Sequence, residues 1–231
     1  MIYKPSYIFW AKIFSILIAP YFKFFNFFRK KYDIRSINIK TILVTEYHRI
    51  GDVIIIAPIL KSIKLNFPNA KIILLCNESA KELAEYLKLA DDVIGVSVPW
   101  TNWGWSFLEW YKIRSFAKSL RSLDIDLGVD FKGDIRNSWF LWNTHPKISF
   151  GYDTTGGSYF YTNTFIMDQN VHQNRRALKL IEKFGCRSIC DKKRRYHSIQ
   201  DGCVVLHPGA SDLARSWPDA HWVELARLLS T

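Results

Sequence analysis

From Thr41 onward, short and almost wholly apolar runs are separated by longer, mixed stretches, and turn residues stand between them. Runs of this length rich in Ile, Leu and Val predict strands buried on both faces, and the longer stretches predict the helices that cover them. In order, the pattern predicts strand 41–45, helix 53–66, strand 71–76 after a Pro68-Asn69 turn, helix 79–89 and strand 93–98. Helix 106–123, strand 125–130, helix 134–143 and strand 147–150 continue it. Strands alternating with helices of ten or more residues specify an α/β fold with a doubly wound, Rossmann-like parallel sheet.

After Gly151 the pattern weakens into a glycine and tyrosine loop, Gly156-Gly157-Ser158 with Tyr152, Tyr159 and Tyr161, followed by helix 172–184 ended by Gly185. Residues 186–201 carry the run KKRR without an apolar period and read as a solvated linker rather than a nuclear signal. Strand 203–206, a loop at 207–216 and helix 218–229 follow. One strand and one helix cannot bury their own apolar faces, so residues 202–231 read as the start of a second Rossmann-like domain and the chain as a shortened or fragmentary one. The expected organisation is a membrane-interface segment at 1–39, a first domain at 40–185, a linker at 186–201 and an incomplete second domain at 202–231.

Charge changes the picture mainly at the N-terminus. The formal charge is +11, and residues 1–40 hold eight Lys or Arg against Asp33 alone, so +7 of it lies there. These cations sit among aromatic and aliphatic residues and end in Arg29-Lys30-Lys31. No small-residue cleavage site follows the apolar stretch, as a secretory signal requires. As a spanning helix it is marginal, because Lys12 interrupts it and Pro20 is expected to break it. Tyr, Trp and Phe at headgroup depth with cations on anionic lipid suit a membrane interface; the alternative is a helix packed on the domain. The basic residues gather on an apolar segment rather than along a groove, which argues against nucleic acid as a partner. Cys76, Cys186, Cys190 and Cys203 form no CxxC pair or common zinc spacing; Cys76 falls in a predicted core strand, as a buried thiol of a reducing cytoplasm would.

Two stretches carry candidate chemistry. In 41–58, TILVTEYHRIGDVIIIAP, a strand runs through a polar turn into Gly51-Asp52 and a helix, placing these residues where parallel sheets bind ligands. Gly51 admits close approach of a ligand or an unusual backbone conformation, and Asp52 suits either a helix cap or a carboxylate base. In 204–229 a strand leads to Gly209, Ala210 and Ser211, then Arg215 and Trp217-Pro218 before a helix. Freed amides, a hydroxyl and an arginine can hold a diphosphate, though a plain strand-to-helix loop has the same composition. Asp124-Ile125-Asp126 matches the DxD of metal-dependent sugar transferases, but it lies at the amino end of a strand, away from ligands. No GxGxxG, Walker A, HExxH or GxSxG occurs, which disfavours oxidoreductase, P-loop, zinc-protease and hydrolase readings.

Taken together, GDV with Ala57-Pro58, the turn Phe67-Pro68-Asn69-Ala70, and HPGAS with Arg215 and Trp217-Pro218 resemble glycosyltransferase family 9, the lipopolysaccharide heptosyltransferases. Residues 124–130 and the stretch HQNRRALKLIEKFG extend the resemblance over roughly 40–231. The resemblance implies a GT-B architecture and an inverting, metal-independent transferase with no cofactor beyond a nucleotide-sugar co-substrate, ADP-heptose. It implies Asp52 as general base, Arg49 and Gly51 beside the acceptor, and Gly209, Ser211 and Arg215 on the donor diphosphate. The implied partners are the nucleotide-sugar, a lipid-linked glycan acceptor of the lipopolysaccharide core type, and the inner face of the cytoplasmic membrane. Glu46-Tyr47-His48-Arg49 departs from the simpler residues expected before the GD pair. The competing expectation is a non-catalytic module that binds membrane glycolipid and lacks a complete donor site.

Overall fold

Six parallel strands form one sheet in a computed structural model that describes residues 5–101, 106–168, 170–187, 204–209 and 216–230. The chain divides into two units, Met1–Asp191 and Lys192–Thr231, and each is described by itself. In the first, helix α1 (Pro5–Phe27) precedes β1 (Thr41–Glu46), α2 (Ile50–Asn66), β2 (Lys71–Cys76), α3 (Glu78–Tyr86) and β3 (Asp92–Gly95). Then come α4 (Phe107–Ser119), β4 (Leu127–Asp130), α5 (Ile135–Thr144), β5 (Ile148–Tyr152), β6 (Asn163–Phe165) and α6 (Gln173–Glu182). The sheet order is β3-β2-β1-β4-β5-β6.

Successive residues of a strand face opposite sides, and both sides here are apolar. Ile42, Val44, Ile72 and Leu74 point into a core shared with Val53, Ile56 and Ile59 of α2 and Leu180 of α6. Leu43, Ile73 and Leu75 point into the other, with Ile113 of α4 and Phe140 of α5. Burying each of these large side chains contributes about 1.5–3 kcal/mol, which is why the strands read as unbroken apolar runs. Cys76 and Cys186 are free and buried in the first core, and burial pushes the Cys76 thiol up to about 11. Cys190 and Cys203 lie outside the described residues.

The predicted alternation holds, with four corrections. Helix 106–123 is α4 followed by a tighter turn at Leu120–Leu123, closed by Asp124 in the left-handed region. The third strand stops at Gly95, because as the last strand of the order it pairs on one side only. The loop after Gly151 contains β6, a short, half-buried strand whose Asn163 and Thr164 give no apolar run to read. Pro20 does not break α1. The proline withholds one hydrogen bond, from the Ile16 carbonyl, on a side of the helix that is exposed, while contacts at Ser15 and Phe22 hold both halves.

In the second unit α7 (Asp219–Leu229) forms the expected helix. Residues 204–206 are not in a strand: a strand needs a neighbour to bond, and no strand occurs in the described residues of this unit.

Candidate active site

The order places β1 between β2 and β4, so the connections from β1 and β4 leave toward opposite faces: α2 packs on one core and α5 on the other. A crevice opens at the carboxyl ends of two such strands, and ligands bind there. Four ionisable side chains, from Glu46, His48, Asp52 and Lys132, meet at this point in the chain.

Glu46 ends β1 and is fully buried. Its Oε1 lies 3.4 Å from His48 Nδ1 and 3.5 Å from Lys132 Nζ, and neither carboxylate oxygen has a hydrogen-bond partner among the described residues. Lys132 is 5% exposed and extends its Nζ to 3.1 Å from Asp52 Oδ1. One buried ammonium therefore bridges two carboxylates from the neighbouring strand's turn.

Asp52 sits in the first turn of α2, which begins at Ile50 with Arg49 as its N-cap. Its Oδ2 accepts the Arg49 backbone N–H at 3.3 Å, so Asp52 does act in capping, from the third helical position rather than from the cap itself. The other oxygen remains with Lys132. Burial alone raises the Asp52 carboxyl, but the charge and hydrogen bond of Lys132, the Arg49 N–H and the His48 charge outweigh it and hold the group below its ordinary value. Gly51 is exposed, has an ordinary backbone conformation, and would meet nothing within 4 Å among the described residues if it carried a Cβ. Its use is thus open space beside Asp52 rather than an unusual φ.

Lys132 is aimed by the turn after β4. Asp130, buried at the strand end, accepts the Lys132 N–H at 3.2 Å, the Gly133 N–H at 3.1 Å and the Tyr161 hydroxyl. Burial raises the Asp130 carboxyl, and the nearby Glu46 charge adds to this, against those hydrogen bonds. Gly133 has φ +66°, and a Cβ there would collide with the Tyr152 carbonyl, so this turn requires glycine. Asp134 then caps α5, accepting the Arg136 N–H at 2.9 Å and both arms of its guanidinium.

The sequence-predicted residues divide accordingly. Asp52, Arg49 and Gly51 come together in one turn at the crevice. Gly209 is described in the second unit, where a Cβ would have His207 Cε1 at 3.6 Å as its one neighbour among the described residues, while Ser211 and Arg215 lie outside them. The Asp124 and Asp126 pair is at the amino edge of the sheet, where Lys147 Nζ holds them at 3.0 and 2.8 Å. Sequence reasoning missed Lys132 and the burial of Glu46. The available signal was Asp130-Phe131-Lys132-Gly133 after an apolar run, the same strand-turn-helix arrangement as 41–58.

Comparison with known proteins agrees with this frame. Residues 113–231 match the profile of "Glycosyltransferase family 9 (heptosyltransferase)", which is more than half of the chain. A curated relative, lipopolysaccharide heptosyltransferase 1 of Pseudomonas aeruginosa, is 22% identical over 200 residues, covering 80% of this chain and 56% of the relative. The chain thus spans little more than half the length of that protein. The fold is similar to E. coli heptosyltransferase WaaC solved with ADP, with TM-score 0.68, 18% identity, and 82% of this chain and 64% of that one covered. It is likewise similar to E. coli ADP-heptose lps heptosyltransferase II, with TM-score 0.62, 15% identity, and 83% and 61% covered. The strand-turn-helix crevice and the extent of the profile match together establish that the chain belongs to glycosyltransferase family 9, the heptosyltransferase family.

Proposed function

We propose that the protein takes part in transfer of heptose from ADP-heptose to a lipopolysaccharide core or related lipid-linked glycan, with inversion at the anomeric carbon. The observation that carries this reading is the Asp52 carboxylate, held ionised beside Lys132 at the sheet's switch point, with no described residue crowding Gly51. In the proposed step an acceptor hydroxyl forms a bond to the anomeric carbon, the bond from that carbon to the diphosphate breaks, and the hydroxyl proton passes to Asp52. Lys132 lowers the basicity of Asp52 and in return keeps it deprotonated at neutral pH. Arg49 and Gly51 border the acceptor, and Gly209, Ser211 and Arg215 take the donor diphosphate.

Donor identity is supported by the E. coli relatives solved with ADP and with ADP-2-deoxy-2-fluoro heptose. The reading assigns no bound metal or cofactor: the DxD carboxylates are occupied by Lys147 and by backbone amides at the opposite edge. The apolar, cationic α1 and a lipid-borne acceptor support a reaction at the inner face of the cytoplasmic membrane.

The test is transfer of labelled heptose to a core-truncated lipopolysaccharide by the natural protein and its Asp52→Asn variant. The expected loss is about 10²- to 10⁴-fold, the ordinary worth of a general base. An unchanged rate would remove Asp52 from the mechanism. No transfer by the parent protein under saturating donor would remove the transferase reading.

A further inference from the structure

Among the described residues, α1 alone is long and apolar enough to cross a membrane. Its 23 residues would extend about 35 Å, against a hydrocarbon core of roughly 30 Å. Yet it is fastened to the domain from end to end. The Tyr7 hydroxyl donates to Asp134 at 3.3 Å, and the Gly157 N–H donates to Ser15 Oγ at 2.8 Å. Phe22 packs on Trp142 and Phe160, and the Trp142 indole donates to Asn26 at 2.8 Å. Just beyond the helix, Arg29 donates to the Pro146 carbonyl at 3.1 Å. Positions 7, 15, 22 and 26 are one helical stripe. Gly156, at φ +96°, fits the seat: a Cβ there would strike the Ser15 side chain.

This stripe carries Tyr7, Ser15 and Asn26 to the domain together with Phe22, and leaves much of the helix's apolar surface uncovered. The outward face exposes Trp10 (67%), Leu17 (73%), Phe24 (63%) and Phe27 (82%), an apolar surface of the kind that marks an interaction site. Beside it, Phe107 (88%), Leu108 and Tyr111 of α4 are also exposed. Between the two helices runs a groove of about 850 Å³, with Trp10 and Phe14 on one lip, Phe107 on the other and Trp139 in the floor. No acidic residue occurs from 5 to 31, whereas Lys12, Lys23, Arg29, Lys30 and Lys31 do. Cations bordering exposed aromatics complement an anionic lipid surface better than any other partner class.

We propose that α1 lies flat in the interface of an anionic bilayer while docked on the domain, rather than spanning it, and that the start of α4 shares this membrane-facing surface. The proposal rests on the membrane partner named above and adds its geometry. Since Tyr7 meets the loop after β4 and Arg29 the loop before β5, α1 runs along the strands from the carboxyl edge to the amino edge. A flat α1 therefore lays the sheet along the membrane with the α4 and α5 face toward the lipid and the carboxyl edge that carries Asp52 open at the side of the domain.

Two measurements test it. In inverted membrane vesicles from expressing cells, Ser6→Cys and Ser36→Cys chains are treated with a membrane-impermeant maleimide, the parent chain serving as the blank. A flat helix leaves both sites labelled; protection of Ser6→Cys alone would mean a span, overturning the proposal while leaving the membrane reading intact. In flotation with phosphatidylglycerol-containing and pure phosphatidylcholine vesicles, binding is expected to the former. Phe107→Glu with Leu108→Glu should weaken it by about tenfold with an unchanged circular-dichroism spectrum. Unaltered binding of that variant would remove α4 from the surface. Absence of binding by the parent to either vesicle would overturn the membrane reading and the proposal together, without touching the transferase assignment.

Discussion

The two edges of the sheet use the same residue types in opposite ways. At the amino edge Asp126 accepts the Lys40 and Thr41 N–H groups at 2.7 and 3.0 Å and the Lys147 ammonium, and Asp91 accepts the Ile72 N–H and Lys64. Both carboxylates are satisfied: burial raises each, but these bonds outweigh it and hold both below their ordinary pKa. At the carboxyl edge Glu46 is fully buried without a hydrogen bond among the described residues, and Lys132 divides one charge between Glu46 and Asp52. A buried carboxylate left short of hydrogen-bond partners costs stability, so its presence points to a site arranged for something other than folding. The contrast separates structural charge from available charge within one sheet.

The most severe way to break the contrast is Lys132→Met. It leaves Glu46 and Asp52 without their shared cation, and removing one partner of a buried ion pair costs about 3–5 kcal/mol. Urea denaturation should show that loss, and carbon-detected NMR titration should show the Asp52 carboxyl moving upward, since burial then acts without Lys132. An unshifted Asp52 would mean that Lys132 does not set its ionisation.

A smaller effect is expected at the other edge. Asp126→Asn keeps one acceptor oxygen but loses the charge that Lys147 and two backbone amides meet, at about 1–3 kcal/mol. Asp52 should titrate as before, because the two edges share no charged partner among the described residues. A shift of Asp52 in this variant would join the edges into one network.

The smallest effect is on pH dependence. The folded-state values of Asp91 and Asp126 are depressed, so their stabilisation is fully present above the unfolded carboxyl value, about 3.9, and is lost as pH falls through the lower folded values. Asp130 is raised, so it acts with the opposite sign, withdrawing stability as pH rises above the unfolded value. Urea midpoints between pH ~2 and ~5 should fall toward acid in the parent and fall less in Asp126→Asn. Equal slopes would exclude Asp126 as a source of acid lability.

Much of the fold was legible because its signals are local. Ile42, Leu43 and Val44 announce a strand buried on both faces without reference to any other part of the chain, and Gly51-Asp52 before an apolar helix marks the turn that carries Asp52. The edge strand β6 was not legible, since a half-buried strand with Asn163 and Thr164 has no pattern of its own and exists only by pairing with β5. Residues 1–32 showed what α1 would avoid, which is water, and not what it would touch. A helix apolar on all sides hides its docking stripe until Ser15 and Asn26 are seen to bond the domain.

The sequence by itself determined the alternation of strands and helices from β1 to β5, the carboxylate at the first turn and the concentration of cations near α1, because periodicity, turn chemistry and charge are properties of neighbouring residues. Only the tertiary structure decided that Lys132 meets Asp52 and Glu46 and that α1 is fastened along its length. Both depend on pairing and packing between segments far apart in the chain: β1 lies beside β4, and α1 lies against the loops that flank α5. Burial then gives these contacts their strength, since a charge shared among Lys132, Glu46 and Asp52 matters most where water is excluded.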